Sequence, residues 1–420
     1  MTEIDPGKKK TIAASQSAPS PLDGPGIALD PTWFEQTNDE LPFTRHVLTT
    51  PLHLVASEES RTNKWTEWNG YTVAEVYTNF DQEYDALRTR AGLADISPLV
   101  KYRISGNEAD AYLDRLLTRA VSTIPIDVVA RAVLCCGNGN LVTEGLLFRM
   151  GAQDFRLTVS SRHLNWMFDA AEGFDVNVED VSGTIAALSI AGPMATKILE
   201  TAGGDDVSAL AKNHAKWVEL GGMPVYVSRT GMMGGCEYEL WSDPSDASVL
   251  WKRLFEFGAP YGIKAIGAAV RNVARLEKGI ALEGVDYGNV FEAADGLNPL
   301  SPFDLGLGDV VDLGNHVFNG RRALKDTFKR GSAKVLTGFE IDADQQAQFA
   351  NIYVNERVIG TITSSVWSPG LQRHVALAII EADALGASGG FSADVTSRWE
   401  KSGVSRAPIS LAKRPFLAFP

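Results

Sequence analysis

The chain has 420 residues, 45% of them hydrophobic and 22% charged, with a formal net charge of -13. That length exceeds one ordinary core and predicts two or three domains of soluble globular composition, while the acidic balance opposes nucleic acid and anionic membrane as partners. No run approaches the roughly 18 apolar residues of a membrane helix, and the beginning lacks a signal-peptide core, so the expected location is the cytoplasm.

Residues 1–40 mix Lys, Ser, Pro and Gly with few large apolar side chains and read as a disordered tail. Structure is expected to begin between Leu41 and Leu54, ahead of the aromatic stretch "NKWTEWNGYTVAEVY". From Asp81 to Ala94, Tyr84, Leu87 and Ala91 recur at helical spacing, with Gly92 weakening the end. "DISPLVKYRISG" reads as one strand, and Asn107 as the cap of a helix whose apolar face is Tyr112, Leu113, Leu116 and Leu117. "NLVTEGLLFRMGAQDFRLTVSS" reads as two strands around a turn at Gly151, and "RHLNWMFDAAEG" as a helix stopped by Gly173. A second unit follows: the strand "TIAALSIAGP", a helix with Pro193 in its first turn, the hairpin "SRTGMMGGCEYELW" and a helix around Val249 to Phe255.

The order strand, helix, hairpin, helix is α+β and forms a weak internal repeat. Beyond residue 330 the helical patterns fade into short strands with turn signals, "ANIYVNERVIGTITSSVWSP" and "HVALAIIEA", which predict a small β-barrel. The expected division is a tail over 1–40, an α+β region over 41–330 holding two interleaved domains, and a barrel domain over 331–420.

Glu144 stands among Leu141, Val142, Leu146, Leu147 and Phe148. It is either turned to solvent or held in a cleft, where burial would raise its pKa and make it a proton exchanger or hydrogen-bond acceptor. Glu237 and Glu239 alternate against Cys236, Tyr238 and Leu240, so they share the opposite strand face. The glycines Gly231, Gly234 and Gly235 ahead of them permit close backbone approach to a ligand. No phosphate-loop lysine pattern, strand-to-helix GxGxxG or serine elbow occurs, so nucleotide binding and serine hydrolysis are unsupported. The cysteines Cys135, Cys136 and Cys236 and six scattered histidines show neither a disulfide framework nor metal-ligand spacing; no metal is expected.

Taken together, "TPLH", "NKWTEWNGYTVAEVY", "GNLVTEGLLF", "SRTGMMGGCEYELW", "GAAVRNVARLEKGIALEG", "SPFDLGLGDVVDL", "FNGRRAL" and "GTITSSVWSPGLQRHVALAII" resemble, in order, the signatures of one family. It is the folate-dependent aminomethyltransferase family founded on the T protein of the glycine cleavage system. The resemblance runs over about residues 45 to 385 and implies a three-domain, ring-like α+β fold with a C-terminal small β-barrel. Tetrahydrofolate would occupy the central cavity. By resemblance Glu239 binds the pterin, Glu237 stays a surface acid, and Arg229 belongs to the family's Arg-Thr-Gly hairpin. Arg271 matches an arginine suited to the anionic end of folate or substrate, and Ser160 stands where the family often has a pterin-side asparagine.

The chain also departs from the family. Glu144 replaces the usual Asp of the key strand, Met232 and Met233 replace Tyr-Thr in the hairpin, and Trp65 replaces a frequent Met. An apolar, aromatic pocket walled by Trp65, Trp68, Tyr71 and Met232 suits an aromatic substrate. The expected activity is therefore methyl transfer from a methoxylated aromatic acid to tetrahydrofolate, giving a phenol and 5-methyltetrahydrofolate. In that reaction Glu144 would orient the pterin or accept the amine proton. The alternatives are a glycine-cleavage aminomethyltransferase working with a lipoyl carrier protein, a dimethylsulfoniopropionate demethylase, and a non-enzymatic folate-binding assembly factor. Against the last, "HVFNGRRAL" lacks the cysteine that such factors share.

Overall fold

A computed structural model describes residues 48–233, 235–288, 290, 299–342, 345–387, 389–397 and 404–418; the tail expected over 1–40, and Gly234, lie outside the described residues. The largest departure from the sequence reading is at Pro98. "DISPLVKYRISG" holds one strand, Val100–Ser105, after a turn at Pro98; its first residue, Asp95, ends a separate strand, Gly92–Asp95, which lies in another sheet and takes the end of the span expected to be helical. Proline has no N–H for a ladder, so the chain turns at Ile96 to Leu99 and crosses from one sheet to the next. The preceding helix, Phe80–Thr89, accordingly stops short of Ala94. A side chain at Gly92 would meet Ile266 at 2.8 Å, so the bare backbone there serves a packed strand.

The first sheet has five strands in the order Val129–Cys135, Leu141–Arg149, Asp154–Val159, Val100–Ser105, Asn177–Asp180, each antiparallel to its neighbour. Helices Ala109–Leu116 and Leu164–Ala171 pack on one face, where Tyr102, Ile104, Tyr112, Leu113, Leu157 and Met167 form the core. Asn107 does not cap the first of these helices. Glu108 holds the cap position without a side-chain bond, and the Asn107 amide donates to Asp175 at 2.7 Å.

The second sheet has six strands: Ala215–Leu220, Met223–Ser228, Glu237–Ser242, Ala186–Ala191, Gly92–Asp95 and Lys264–Ala265. Helices Ala195–Thr201 and Ala247–Gly258 bury Ile198, Leu199, Leu250, Trp251 and Leu254 against Leu188, Ile190, Val225, Val227, Tyr238 and Leu240. Pro193 lies just before the first helix, outside its first turn. Both sheets use one plan: a strand, a helix, a three-strand meander, a helix and a closing strand. The second differs by accepting Gly92–Asp95 between its first and closing strands. Beside it stands a hairpin of Lys64–Trp68 and Tyr71–Val76, turning at Asn69 and Gly70 with φ of 52° and 82°.

Beyond Lys334 the chain forms a closed six-stranded barrel, sealed where Phe391–Ser397 pairs with Val404–Ala412. Closure removes exposed strand edges. Each pair of bodies meets through its own apolar cluster. Phe148, Tyr226 and Trp241 join the two sheets, Cys135 and Leu141 meet Leu336 and Val375 at the barrel, and Tyr84, Met233 and Val270 reach Val366 of the barrel. Three bodies that each touch the other two close into a ring. Helix Ala268–Glu277 locks the last junction: Arg275 pairs with Asp286 at 2.6 Å and donates to Ser364, while Glu277 accepts from Tyr84 and Ser368, both at 2.6 Å. Among the described residues no helix is long and apolar enough to cross a membrane.

Candidate functional site

The pleat of Glu237–Ser242 turns Tyr238 and Leu240 into the helix-covered core and Glu237 and Glu239 to the other face. That face is interior. Glu237 and Glu239 are 6% and 5% exposed, so Glu237 is not the surface acid expected of it. Its carboxylate accepts from the Ser189 hydroxyl at 2.8 Å and from the Met233 N–H at 2.7 Å, tying the glycine-rich loop to the sheet. A Cβ on Gly231 would fall 1.8 Å from the Glu237 carboxyl carbon, so only glycine leaves room for this acid. Met233 is buried among Tyr84, Leu87, Ile266 and Val270, where a flexible thioether fills an irregular gap; Met232 is half-buried.

Glu239 is the unsatisfied group. It is hydrogen-bonded by Thr230, but its Oε2 is buried and has no hydrogen-bond partner among the described residues. Burial, then repulsion from Glu237, pushes its carboxyl up to about 7, against the pull of Thr230, Lys101 and Arg271. Arg271 comes from helix Ala268–Glu277, with its guanidinium carbon 4.3 Å from the Trp68 ring centroid. Burial holds it below the usual arginine range, while Glu237, Asp95 and Glu239 favour its charge. Asp95 is itself buried and accepts from the Thr50 hydroxyl at 2.6 Å and the Ser97 N–H at 2.9 Å. The cluster thus gathers three carboxylates and two cations inside the protein, an arrangement costly without a compensating guest.

The other predicted residues divide. Trp68 lies under Arg271, and the neighbouring Asn69 amide donates to the carbonyls of Pro98 and Ser160, at 2.9 and 2.8 Å, which brings Ser160 beside the same turn. Tyr71, paired across the hairpin with Trp68, lines a cleft of about 460 Å³ together with Thr49, Thr50, Ser97, Ser182 and Ser245. Trp65 is three residues from Trp68 and packs elsewhere: its indole N–H donates to Asn63, and its ring sits 5.0 Å from His53 against the second sheet's core. Arg229 is likewise turned away, donating to the Leu210 carbonyl and lying 6.0 Å from the ring centroid of the core residue Tyr238. Glu144 is paired with Arg131 of the adjacent strand at 2.6 Å; burial raises its pKa and Arg131 opposes the rise. No described contact links Glu144 to Glu239. Its neighbour Thr143 is the residue turned inward, donating at 2.7 Å to Glu283, which also meets His163 at 3.1 Å.

Two members of the cluster carried no signal in the sequence. Asp95 stands alone just ahead of Pro98, and Lys101 alternates with Tyr102 and Arg103 as an ordinary surface lysine would. Lys101 is instead 0% exposed. Among the described residues no group of three or more His, Cys, Asp or Glu side chains has the arrangement to hold a metal ion.

Comparison with known proteins bears on what this cluster binds. Residues 54–314 match the family described as the GCVT N-terminal domain, and residues 334–416 match the glycine cleavage T-protein C-terminal barrel domain. The chain is similar to the aminomethyltransferase of Bacillus cereus strain B4264, 29% identical over 325 residues that cover 76% of this chain and 86% of the relative. It is equally similar to that of Bacillus anthracis strain A0248, 29% identical over 328 residues, with the same coverage. Among solved structures, the glycine cleavage system aminomethyltransferase T from Bartonella henselae superposes with a TM-score of 0.77, covering 89% of this chain and 99% of that one, at 20% identity. That likeness carries the fold.

Proposed function

From the premise that this chain belongs to the glycine cleavage T-protein (aminomethyltransferase) family, whose members bind tetrahydrofolate and transfer one-carbon units, we propose that Glu239 receives the pterin of tetrahydrofolate. The observation that carries the assignment is the buried, unpartnered Oε2 of Glu239. A pterin edge presents adjacent N–H donors, and a charged acceptor in a dry site makes the strongest bonds with them. An unsatisfied carboxylate with a charged guanidinium nearby fits such a guest, whereas an apolar ligand would leave the carboxylate oxygen uncompensated.

When bound, tetrahydrofolate supplies the ring amine that accepts the one-carbon group. The residues of this chain position and enclose it. Glu239 fixes the pterin edge, and Glu237, through the Met233 N–H, holds the loop beside it rigid. Ser160 and Trp68 border the same space, and Arg271, supported face-on by Trp68, offers its charge to an anionic group. Excluding water from this interior strengthens each of these interactions.

For the one-carbon donor we favour a methoxylated aromatic acid, yielding a phenol and 5-methyltetrahydrofolate. A guanidinium stacked on an indole recognises a carboxylate on a flat ring, and Trp68 and Tyr71 provide the aromatic wall. The second reading, aminomethyl transfer from a lipoyl carrier protein, is favoured by the names of the relatives. Anaerobic incubation with tetrahydrofolate and separate donors, with folate products read by mass spectrometry, separates them. A methoxybenzoate that yields 5-methyltetrahydrofolate and its phenol supports the first reading. Product only with an aminomethylated lipoyl carrier refutes it in favour of the second.

A further inference from the structure

The most deeply buried cation in the cluster, Lys101, has no role in the folate assignment above. Lys101 projects from strand Val100–Ser105 on the face opposite Tyr102 and Ile104, towards the second sheet, and is 0% exposed. Its ammonium donates to the carbonyls of Ser97 and Leu99, at 2.8 and 2.9 Å, and makes no direct salt bridge among the described residues. Two of three N–H groups are therefore spent on backbone, at the turn that carries the chain between the sheets. A hydrophobic side chain of the same length would be the cheaper way to fill this space. The turn that it holds leaves the strand whose Ala94 is in register with Ser189, which is in turn in register with Glu239, and the Ser97 whose carbonyl it binds donates its N–H to Asp95, so the ammonium sits at the end of the strand row that carries Glu239. What the charge adds there is a field acting on Asp95, Glu239 and Asp180, with Arg162 opposing.

We propose that Lys101 is a positioning residue for one-carbon transfer: from the first sheet it holds Glu239 of the second as a carboxylate, ready to accept the donor edge of the pterin. The inference rests on the folate assignment above and deepens it. The groups acting on Glu239 come from each element around it: Glu237 on its own strand disfavours its charge, while Thr230 in the loop, Lys101 on the first sheet and Arg271 on the helix favour it. Burial leaves the Lys101 ammonium at about 8 and the Glu239 carboxyl at about 7, so near neutrality the lysine is charged while the acid stands at its midpoint. At that midpoint a modest field decides the protonation state.

The test is tetrahydrofolate affinity against pH, by anaerobic titration calorimetry, for the wild type, Lys101→Met, Lys101→Arg, Glu239→Gln and the double variant Lys101→Met/Glu239→Gln. Wild-type affinity is expected to weaken as pH falls through about 7. Lys101→Met should move that midpoint up by about one pH unit, a roughly tenfold loss of affinity on the acid side, and Lys101→Arg should restore it. In the Glu239→Gln background, which has no carboxyl to hold ionised, Lys101→Met should change nothing. A folded Lys101→Met protein with the wild-type midpoint overturns the inference and leaves the folate assignment standing. So does an equal loss in the Glu239→Gln background, which would show that Lys101 acts on packing. A wild-type chain that does not bind tetrahydrofolate overturns both, and the two failures are thereby told apart.

Discussion

At the residue scale, the site is set by the parity of the pleat. Glu237 and Glu239 were legible as a shared face from the alternation with Tyr238 and Leu240, but single-strand periodicity says nothing of what covers that face. Here the first sheet and helix Ala268–Glu277 cover it, which turns a presumed surface acid into a buried one. Trp65 and Arg229 enter the expected site by their positions in the family's motifs, and the structure sends both to the core side. The raised pKa of Glu239 has a consequence for stability. Its carboxyl lies at about 7 in the fold and 4.5 in the open chain, so its contribution is present below pH 4.5 and is lost as pH rises through 7. Glu239→Gln should therefore be more stable than wild type at pH 8, by up to ~3 kcal/mol, and unfold at a higher temperature, with the gap closing near pH 4.5. Scanning calorimetry at both pH values checks this, and equal stability at pH 8 would show that the carboxylate is not strained. Gly231→Ala places a methyl group against the Glu237 carboxyl and should cost about 1–3 kcal/mol in urea unfolding.

At the element scale, helix Ala268–Glu277 joins the site to the barrel. Its 3.6-residue repeat presents Arg271 to Trp68 on one turn, and Arg275 and Glu277 to Asp286, Ser364 and Ser368 on the next. Arg275→Met removes the partner of a buried Asp286 and should cost about 3–5 kcal/mol. Because the lost contacts anchor the barrel, its urea transition should separate from that of the sheets; one unchanged cooperative transition would show that the apolar junctions suffice. The elements that the sequence pattern named in the two sheets lie near where it placed them, since their apolar periods are strong, but it passed over strands such as Val129–Cys135 and Ala215–Leu220 and the helix Ala268–Glu277 itself. It missed the strand Gly92–Asp95 because that strand is four residues long and follows the helical spacing of Tyr84, Leu87 and Ala91 without a break, and only the sheet order sets it apart. Glu144 is an element-scale case as well. Its strand was recognised, but pairing with Arg131 across the ladder depends on register, which one strand alone does not show. Glu144→Gln is expected to leave tetrahydrofolate affinity within about twofold by calorimetry, and a larger loss would place this acid at the pterin.

For the whole molecule, three bodies closed into a ring give the cluster its character. Asp95, Glu239 and Arg271 come from the second sheet and its helix, Lys101 and Ser160 from the first, and Trp68 from the hairpin beside them. No single body completes the set, which explains why motif order revealed the family while composition revealed no site. The charges meet only when the sheets are docked, and their mutual compensation is left unfinished at one oxygen of Glu239. A protein that keeps such an unsatisfied acceptor forgoes stability for binding. The central claim is that the pterin of tetrahydrofolate donates to it. The most direct measurement is anaerobic titration calorimetry of tetrahydrofolate into wild type and Glu239→Ala at pH 8. Loss of a charge-assisted bond of about 1.5–3 kcal/mol predicts affinity weakened tenfold or more in the variant. Equal affinity in a folded variant would contradict the account.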